Sequence, residues 1–516
     1  MGLNETKGSW CLLTTRLEPV ANAVPRHLQM NDGPYFLGKL SDDACCKFKK
    51  KCDGLPLAAK LIGGLLLNSG LEKWQSIVKE SLLNEYQSQI NQVLKVSFDH
   101  LSPPSVKKCF ACCSIFPQDT ELGEDELIQH WIAEGFVLKN NRVMEETGGE
   151  YLRIFLQNSL LEKVQGSWRT YYKMHDLVHD FAKSILNPES SNQDRYLALN
   201  SSEGLAENTT RTIPASIRTL FLHVKGGISV DMLLRFKYLH VLRLYGNDVK
   251  FLPSSIGKLP SLRLLDISSS GIRSLPESLC KLYNLQTLTM RDDVLEGGFP
   301  KRMSDLISLG HLNYNDDDAE FKMPMQMGRL TRLQTLKFFN VSQEKGCGIE
   351  ELGSLTYLKR SLSVRNLGLV KGKEAAKQAK LVEKPDLSEL EFEWEKEEGR
   401  SRASGSSTRR RKFFPALESL WVIGCLQLTT LPCSCKSLDV QRCHNLTSIK
   451  MGYGTASVEE LSIRFCDNLR ELPDLDLFGP SLQRLTISFC PRLISLGSCR
   501  SLRSLSVKRL SQIDPS

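Results

Sequence analysis

The chain has 516 residues, 41% of them hydrophobic and 24% charged, a composition that excludes a wholly disordered protein. At about 150 residues per domain, the length corresponds to roughly three domains. With 67 Lys and Arg against 59 Asp and Glu, the net charge is +8, too mild over this length to carry nucleic-acid binding by itself.

No stretch approaches the ~18 consecutive apolar residues of a membrane span, and Met1–Trp10 (MGLNETKGSW) is polar where a signal peptide would be apolar. A cytoplasmic protein is expected, and Asn200, Asn208 and Asn445 are not expected to carry glycans. Met1-Gly2-x-x-x-Thr6 fits a loose myristoylation pattern, but one acyl chain binds membranes only marginally. The 16 cysteines then read as reduced thiols. Cys109-x-x-Cys112-Cys113 and Cys433-x-Cys435 lack the second ligand pair of a structural zinc site. The apolar setting of KKCFACCSIFP points instead to a buried helix end.

In chain order, Cys11–Thr15 (CLLTT) reads as a buried strand. Ile90, Val93, Leu94, Phe98 and Leu101 stand at helical spacing, and Ser102-Pro103-Pro104 breaks that helix. Leu127–Ile132 reads as another helix and Tyr171–Leu186 as a third.

From Leu220 onward an internal period takes over. A Leu-x-apolar core recurs at Leu220, Leu242, Leu265, Leu288, Leu312 and Leu336, in steps of 22 to 24 residues. It weakens through Leu362 and Leu390, then returns at Leu420, Leu438, Leu461, Leu485 and Leu505. Each core suits a short strand with its apolar side chains inward. One repeat cannot fold alone: about five buried apolar side chains give roughly 10 kcal/mol, and ordering about 23 residues costs roughly 35 kcal/mol. Stacked coils sheltering one another are required, and a solenoid of about 12 repeats follows. Cys425, Cys443, Cys466 and Cys490, each five residues after a strand leucine, occupy the Asn/Cys slot of the repeat, and Asn247 falls in the same slot. Lys371–Lys384 reads as a short charged helix, and Glu391–Lys412 as an exposed excursion.

The outward positions of such strands offer a concave surface to a partner. Asp266, Thr289 and Lys508 are among them. The candidate protein-binding anchors are Arg243, Tyr245, Lys337, Phe339, Trp421, Arg464 and Arg484, being mostly aromatic or basic.

Several blocks then resemble a known family. Gly8–Arg16 (GSWCLLTTR) resembles the strand-and-sensor motif of plant nucleotide-binding leucine-rich-repeat immune receptors, and Cys52–Ala58 (CDGLPLA) is similar to their GLPL motif. Cys109–Pro117 (CFACCSIFP), with Trp131–Phe136 (WIAEGF) after it, looks like the winged-helix portion of the coiled-coil class. Met174-His175-Asp176 matches the MHD motif. The resemblance implies a disease resistance protein of the NB-ARC family, truncated at its N-terminus. The implied fold class is α+β: a mostly helical NB-ARC and winged-helix region, then a leucine-rich-repeat solenoid with a curved parallel sheet. The corresponding ranges are 1–80 for the NB-ARC remnant, 85–186 for the winged helix, 187–212 for a linker and 213–516 for the repeats.

By the same resemblance the cofactor is ADP or ATP. Arg16 would sense the terminal phosphate, Pro56 (beside Gly54 in its motif) would pack on adenine, and His175 would reach the β-phosphate. The repeats would sense or restrain, with a pathogen effector, a guarded host protein or other immune receptors as partners. The sequence departs from the family in having no Gly-x-x-x-x-Gly-Lys-Ser/Thr loop and no aspartate-rich strand to hold magnesium. Arg16 and His175 at ~1.5–3 kcal/mol each fall short of the about 8 kcal/mol of micromolar affinity. Autonomous nucleotide binding is therefore not expected.

Enzymatic function is not expected either. His175 and His179 share the spacing of zinc-protease ligands, but Asp176 stands where that motif has glutamate. Glu121–Glu134 is acidic where a DNA-binding winged helix needs cations, so no nucleic acid is expected as a partner. The alternative to an immune receptor is a non-enzymatic repeat module, or decoy, that binds proteins without nucleotide.

Overall fold

The computed structural model describes residues 56–67, 89–137, 143–167, 169–186, 195–201, 213–224, 233–318, 320–394, 417–425, 430–431, 435–447, 450–451, 458–472, 481–496 and 502–508. The chain falls into two compact units, Met1–His100 and Leu101–Ser516. In the first, helix α1 (Pro56–Leu67) packs against α2 (Gln89–Asp99), with Leu61 and Leu94 fully buried. The expected strand at Cys11–Thr15 lies outside the described residues. Helix α2, grouped by its sequence with the winged helix, belongs to this first unit.

The second unit opens with a winged helix. Its helices are α3 (Pro104–Cys112), α4 (Glu124–Glu134), α5 (Met144–Gln157) and α6 (Asp176–Leu186). Strands β1 (Glu162–Gln165) and β2 (Thr170–Lys173) form the antiparallel wing between α5 and α6. Tyr171–Leu186, expected as one helix, is therefore divided. Thr170–Lys173 pairs across the wing, and the helix starts only where the His175 Nδ1 accepts the Leu177 N–H at 3.2 Å. Phe110, Trp131 and Phe181 gather around Phe155 and one another to form the core, with Phe110 and Phe155 centroids 5.9 Å apart. Cys109, Cys112 and Cys113 are buried at the end of α3, and burial pushes the Cys113 thiol up to about 12.

The described residues of the repeats form two long parallel sheets and a two-stranded parallel pair, Thr430–Leu431 with Lys450–Met451. The first runs through β3 (Tyr196–Ser201), β4 (Thr219–Val224), β5 (Val241–Gly246), β6 (Leu264–Ser270), β7 (Thr287–Thr289), β8 (His311–Asn313) and β9 (Thr335–Leu336). The second runs through β10 (Phe338–Asn340), β11 (Arg360–Arg365), β12 (Leu387–Glu393), β13 (Ser419–Ile423), β14 (Ser437–Gln441), β15 (Glu460–Arg464), β16 (Arg484–Ser488) and β17 (Ser504–Lys508). The repeat leucine is the register residue: Leu220 pairs with Leu242, Leu242 with Leu265, and Leu265 with Leu288. Leu438, Leu461 and Leu485 align in the same way. Those leucines share one continuous core with the convex-side leucines, as a stack of mutually sheltering coils requires. Strand β3 pairs with β4, so the sheet draws its first strand from the stretch read as a linker. Among the described residues no helix is long and apolar enough to cross a membrane.

Local details depart from the sequence expectations at four places, one of them Leu505, which is 52% exposed on the last strand and not inward because no further described coil covers it. Cys443, Cys466 and Cys490 are buried in their slot, the Cys443 Sγ lying 3.4 Å from the Gln441 carbonyl oxygen, but Asn247 is exposed. Glu391–Glu393 are still in β12 and not in an excursion. Lys384, expected on a charged helix, is buried and donates to the Leu352 and Leu355 carbonyls at 2.7 and 2.8 Å.

Close coil stacking is readable at Gly271, where a Cβ would lie 2.1 Å from the Asn247 carbonyl oxygen. Gly271→Ala should therefore lower unfolding free energy by about 1–3 kcal/mol. Gly149→Ala, in α5 with open space around it, should raise it by about 0.5–1 kcal/mol. Urea midpoints of the two variants check both signs.

Candidate functional site

Helix α4 carries the sequence EDELIQHWIAE. Glu124, Asp125 and Glu126 stand in its first turn, where carboxylates suit the positive end of the helix dipole. Glu126 also accepts the Gly123 N–H at 3.3 Å. Gly135, at φ 78°, ends the helix in the left-handed conformation that glycine tolerates best. Every residue from Leu127 to Glu134 is buried. A surface helix buries one stripe. This one is covered all round because its Trp131 face packs into the winged-helix core and its polar face lies on the concave side of the first sheet.

The contacts run coil by coil. Thr219 donates its hydroxyl to Glu134. Arg263 Nη1 donates to the Ala133 carbonyl at 3.3 Å. Asn313 Nδ2 donates to Gln129 at 3.1 Å, and His311 Nε2 lies 3.1 Å from Glu145, which also accepts from Gln334 at 2.8 Å. Arg360 pairs with Asp125. At the centre stands Arg243, 3% exposed, paired with Glu126 and, at 3.1 Å, with Asp266. Its guanidinium lies over the Phe116 and Phe221 rings, 4.9 and 5.2 Å from their centroids. Phe116 and Phe221 themselves meet edge-on at 5.2 Å. A cavity of about 640 Å³ opens beside them, lined by Tyr245, Glu121 and His223 among others.

Burial sets the electrostatics of this junction. It pushes the Glu134 carboxyl up to about 7 even though Thr219, Arg218 and Arg263 oppose the shift. Burial, with Arg263 and Arg218, takes His240 down to about 4. His240 Nδ1 and Glu134 Oε2 are 3.8 Å apart. Burial, with Arg243 nearby, also holds His130 well below its ordinary value.

Two of the expected anchors are not free for a partner. Arg243 is already occupied by α4, as described. Phe339 is fully buried: strand pairing breaks at Lys337, and β10 resumes with Phe339 opposite the inward Val364. A one-residue slip turns every side chain to the other face, so the alternation counted from Leu336 fails there. Tyr245 is half-buried beside Phe221, and Lys337 reaches Asp292 at 3.1 Å. Trp421, Arg464 and Arg484 stand on the second sheet. Arg464 pairs with Asp439 at 3.3 Å and Arg484 pairs with Glu460, both arginines exposed.

Of the residues matched to a nucleotide site, Arg16 and Gly54 lie outside the described residues, and Pro56 opens α1. His175 is exposed, with its Nδ1 lone pair spent on the Leu177 N–H. Among the described residues no phosphate cradle is assembled. The pairing of the α4 acids and Glu145 with the sheet was not legible in the sequence, although the acidic character of Glu121–Glu134 was. Their only local signal is the acidic run at a helix start, and Glu126 lies 117 residues from the Arg243 it binds.

Two family models match this architecture. Residues 216–513 match the family model described as a leucine-rich repeat region, and residues 115–182 match the disease resistance protein winged helix domain. Disease resistance protein RGA2 of Solanum bulbocastanum is 35% identical over 419 residues, covering 75% of this chain and 41% of that protein. Disease resistance protein SUMM2 of Arabidopsis thaliana is 31% identical over 268 residues, covering 45% and 30%. Among solved structures, the PEPR1–AtPEP1 crystal structure aligns with a TM-score of 0.38 at 16% identity, covering 60% of this chain and 49% of that one. The chain thus spans about two fifths of the length of RGA2. Its winged helix, its long repeat region and these relatives together place it in one family: the chain belongs to the leucine-rich-repeat disease resistance proteins of plants.

Proposed function

We propose that this chain works in the plant cytoplasm as the restraining and sensing part of an immune receptor, without catalysing a reaction. The winged helix is held against the concave face of the first repeats, and the second sheet presents Trp421, Arg464 and Arg484 to protein partners such as a pathogen effector or a guarded host protein. One observation carries this reading: from Leu127 to Glu134, α4 is buried on every side, between its own domain core and the repeat sheet. A pure repeat module would have no use for a second domain keyed into its binding face, and the resistance-protein relatives weigh against that alternative. A nucleotide-dependent switch would need residues beyond those that the described structure assembles.

The test reverses the charges of the helix tip. Asp125→Arg with Glu126→Arg faces Arg360 and Arg243 with like charges, so amide exchange across α4 should accelerate at least tenfold. In leaf tissue the same variant should raise ion leakage above that given by the unaltered chain. If exchange accelerates and leakage stays level, the junction is not a restraint.

A further inference from the structure

One edge of the solenoid stays open while α4 occupies the concave face. The turns leading into the strands are tied in register by a backbone ladder, in which Arg263 N–H donates to His240, Gln286 to Arg263, Gly310 to Gln286, Gln334 to Gly310 and Lys359 to Gln334, all at 2.7–2.8 Å. Residues two or three positions before each rung therefore share one edge. Large apolar side chains recur there: Tyr238 is 65% exposed, Tyr283 54%, Ile307 52% and Tyr357 59%. Pro260 supplies the coil between the first two and is also exposed. Exposed apolar residues scattered singly need no explanation, whereas a stripe in phase with the repeat does.

A second row runs beside the first. Five positions before the first five rungs stand Arg235, Lys258, Lys281, Asp305 and Arg329, and before Lys359 the row ends in Ser354. Asp305 is already held by Arg302 at 2.7 Å and Arg329 at 3.0 Å, and Glu277 accepts the Lys301 backbone N–H at 2.9 Å. Among the described residues neither Lys258 nor Lys281 has a salt-bridge partner, and both are exposed. Between the rows lies a cavity of about 680 Å³ lined by Lys258, Pro260, Cys280, Lys281, Tyr283 and Arg302.

We propose that this edge, from Tyr238 to Tyr357, is a docking rail for an acidic segment of a partner protein that carries aromatic or aliphatic anchors. The cation row faces the partner's carboxylates and the apolar row takes its anchors. Coils stack about 4.8 Å apart, so the four steps from Arg235 to Arg329 span ~20 Å, which an extended segment of about six residues covers. Charge selects this occupant: a basic or neutral segment would leave Lys258 and Lys281 unmatched beside a partner surface. Lipid and DNA phosphates could match the cations, but the row of apolar side chains, present on five of the six coils and interrupted by Thr331 and Arg332 before Gln334, suits anchors set along a peptide. The rail is distinct from the concave face of the proposed function and does not depend on α4 being released.

A displayed library of random twelve-residue peptides, selected against the folded chain, tests the proposal. Selected peptides should be rich in Asp and Glu interspersed with Trp, Phe or Leu. Their binding should weaken with added salt and fall at least tenfold with Lys258→Glu/Lys281→Glu and with Tyr283→Ser. Arg243→Ala and Arg464→Glu should leave it unchanged, which separates the rail from the concave site. A neutral or basic selected pool, or binding indifferent to the lysine reversals, would overturn the proposal. So would tighter binding of anionic phospholipid vesicles or duplex DNA than of the selected peptides.

Discussion

Arg243→Ala should destabilise the junction between the winged helix and the repeats by about 3 kcal/mol, the lower end of what removing one partner of a buried ion pair costs. Arg243 has no exposed alternative: it is 3% accessible and lies over the Phe116 and Phe221 rings. The two acids it leaves behind fare differently. Glu126, with its side chain 34% exposed, can turn to water. Asp266, 14% exposed, keeps hydrogen bonds from the Ser268 backbone at 3.0 Å and hydroxyl at 2.7 Å. These retained contacts are why the lower end of the range applies. In a double-mutant cycle with Glu126→Ala the two losses should fall short of additivity by about 1 kcal/mol or more. Strict additivity in urea denaturation would mean that the pair is not coupled. Faster amide exchange in α4 with unchanged protection in the second sheet would place the loss at the junction.

Glu134→Gln should do the reverse above neutral pH. The carboxyl is pushed from 4.5 to about 7 in the folded chain, so folding favours its protonated form. Its contribution is complete below about pH 4.5 and is lost as pH rises through about 7. Glutamine can still accept from the Thr219 hydroxyl and never ionises. The variant should match the native chain at pH 4.5 and exceed it at pH 8 by about 3 kcal/mol, the worth of that shift. His240 acts with the opposite sign: taken from 6.5 to about 4, it gives stability present above pH 6.5 and lost as pH falls through 4. In the native chain the two effects oppose each other between pH 4.5 and 6.5, which flattens the profile. In Glu134→Gln only the His240 arm remains, so stability should climb with pH from 4 to 6.5. A melting temperature equal to that of the native chain at pH 8 would show that Glu134 is not buried in an ionised state.

The solenoid was legible because its cause is local and repeated. A leucine every 22 to 24 residues, flanked by alternating polar positions, can be satisfied only by stacked coils. The register of Leu220, Leu242, Leu265 and Leu288 bears this out. The winged helix was legible through short motifs and matches its family model at residues 115–182. Counting by twos failed at Phe339, because strand pairing breaks at Lys337 and the pleat resumes one residue out of phase. It also failed to show that Arg243 was spoken for, although the residue does stand on the outward face as its position implies.

Taken alone, the sequence determined the coil period, the inward leucines, the cysteine slots and the acidic start of α4, since each depends on neighbours within a turn or a repeat. Only the tertiary structure decided what the concave face holds. The polar groups that meet there are separated by 117 residues for Glu126 and Arg243, 166 for Glu145 and His311, and 235 for Asp125 and Arg360. Carboxylates and guanidinium groups interact through space whatever their distance along the chain, so no spacing rule records their meeting. Folding alone brought the helix across the sheet and turned a surface that reads as open into one that the protein itself already fills.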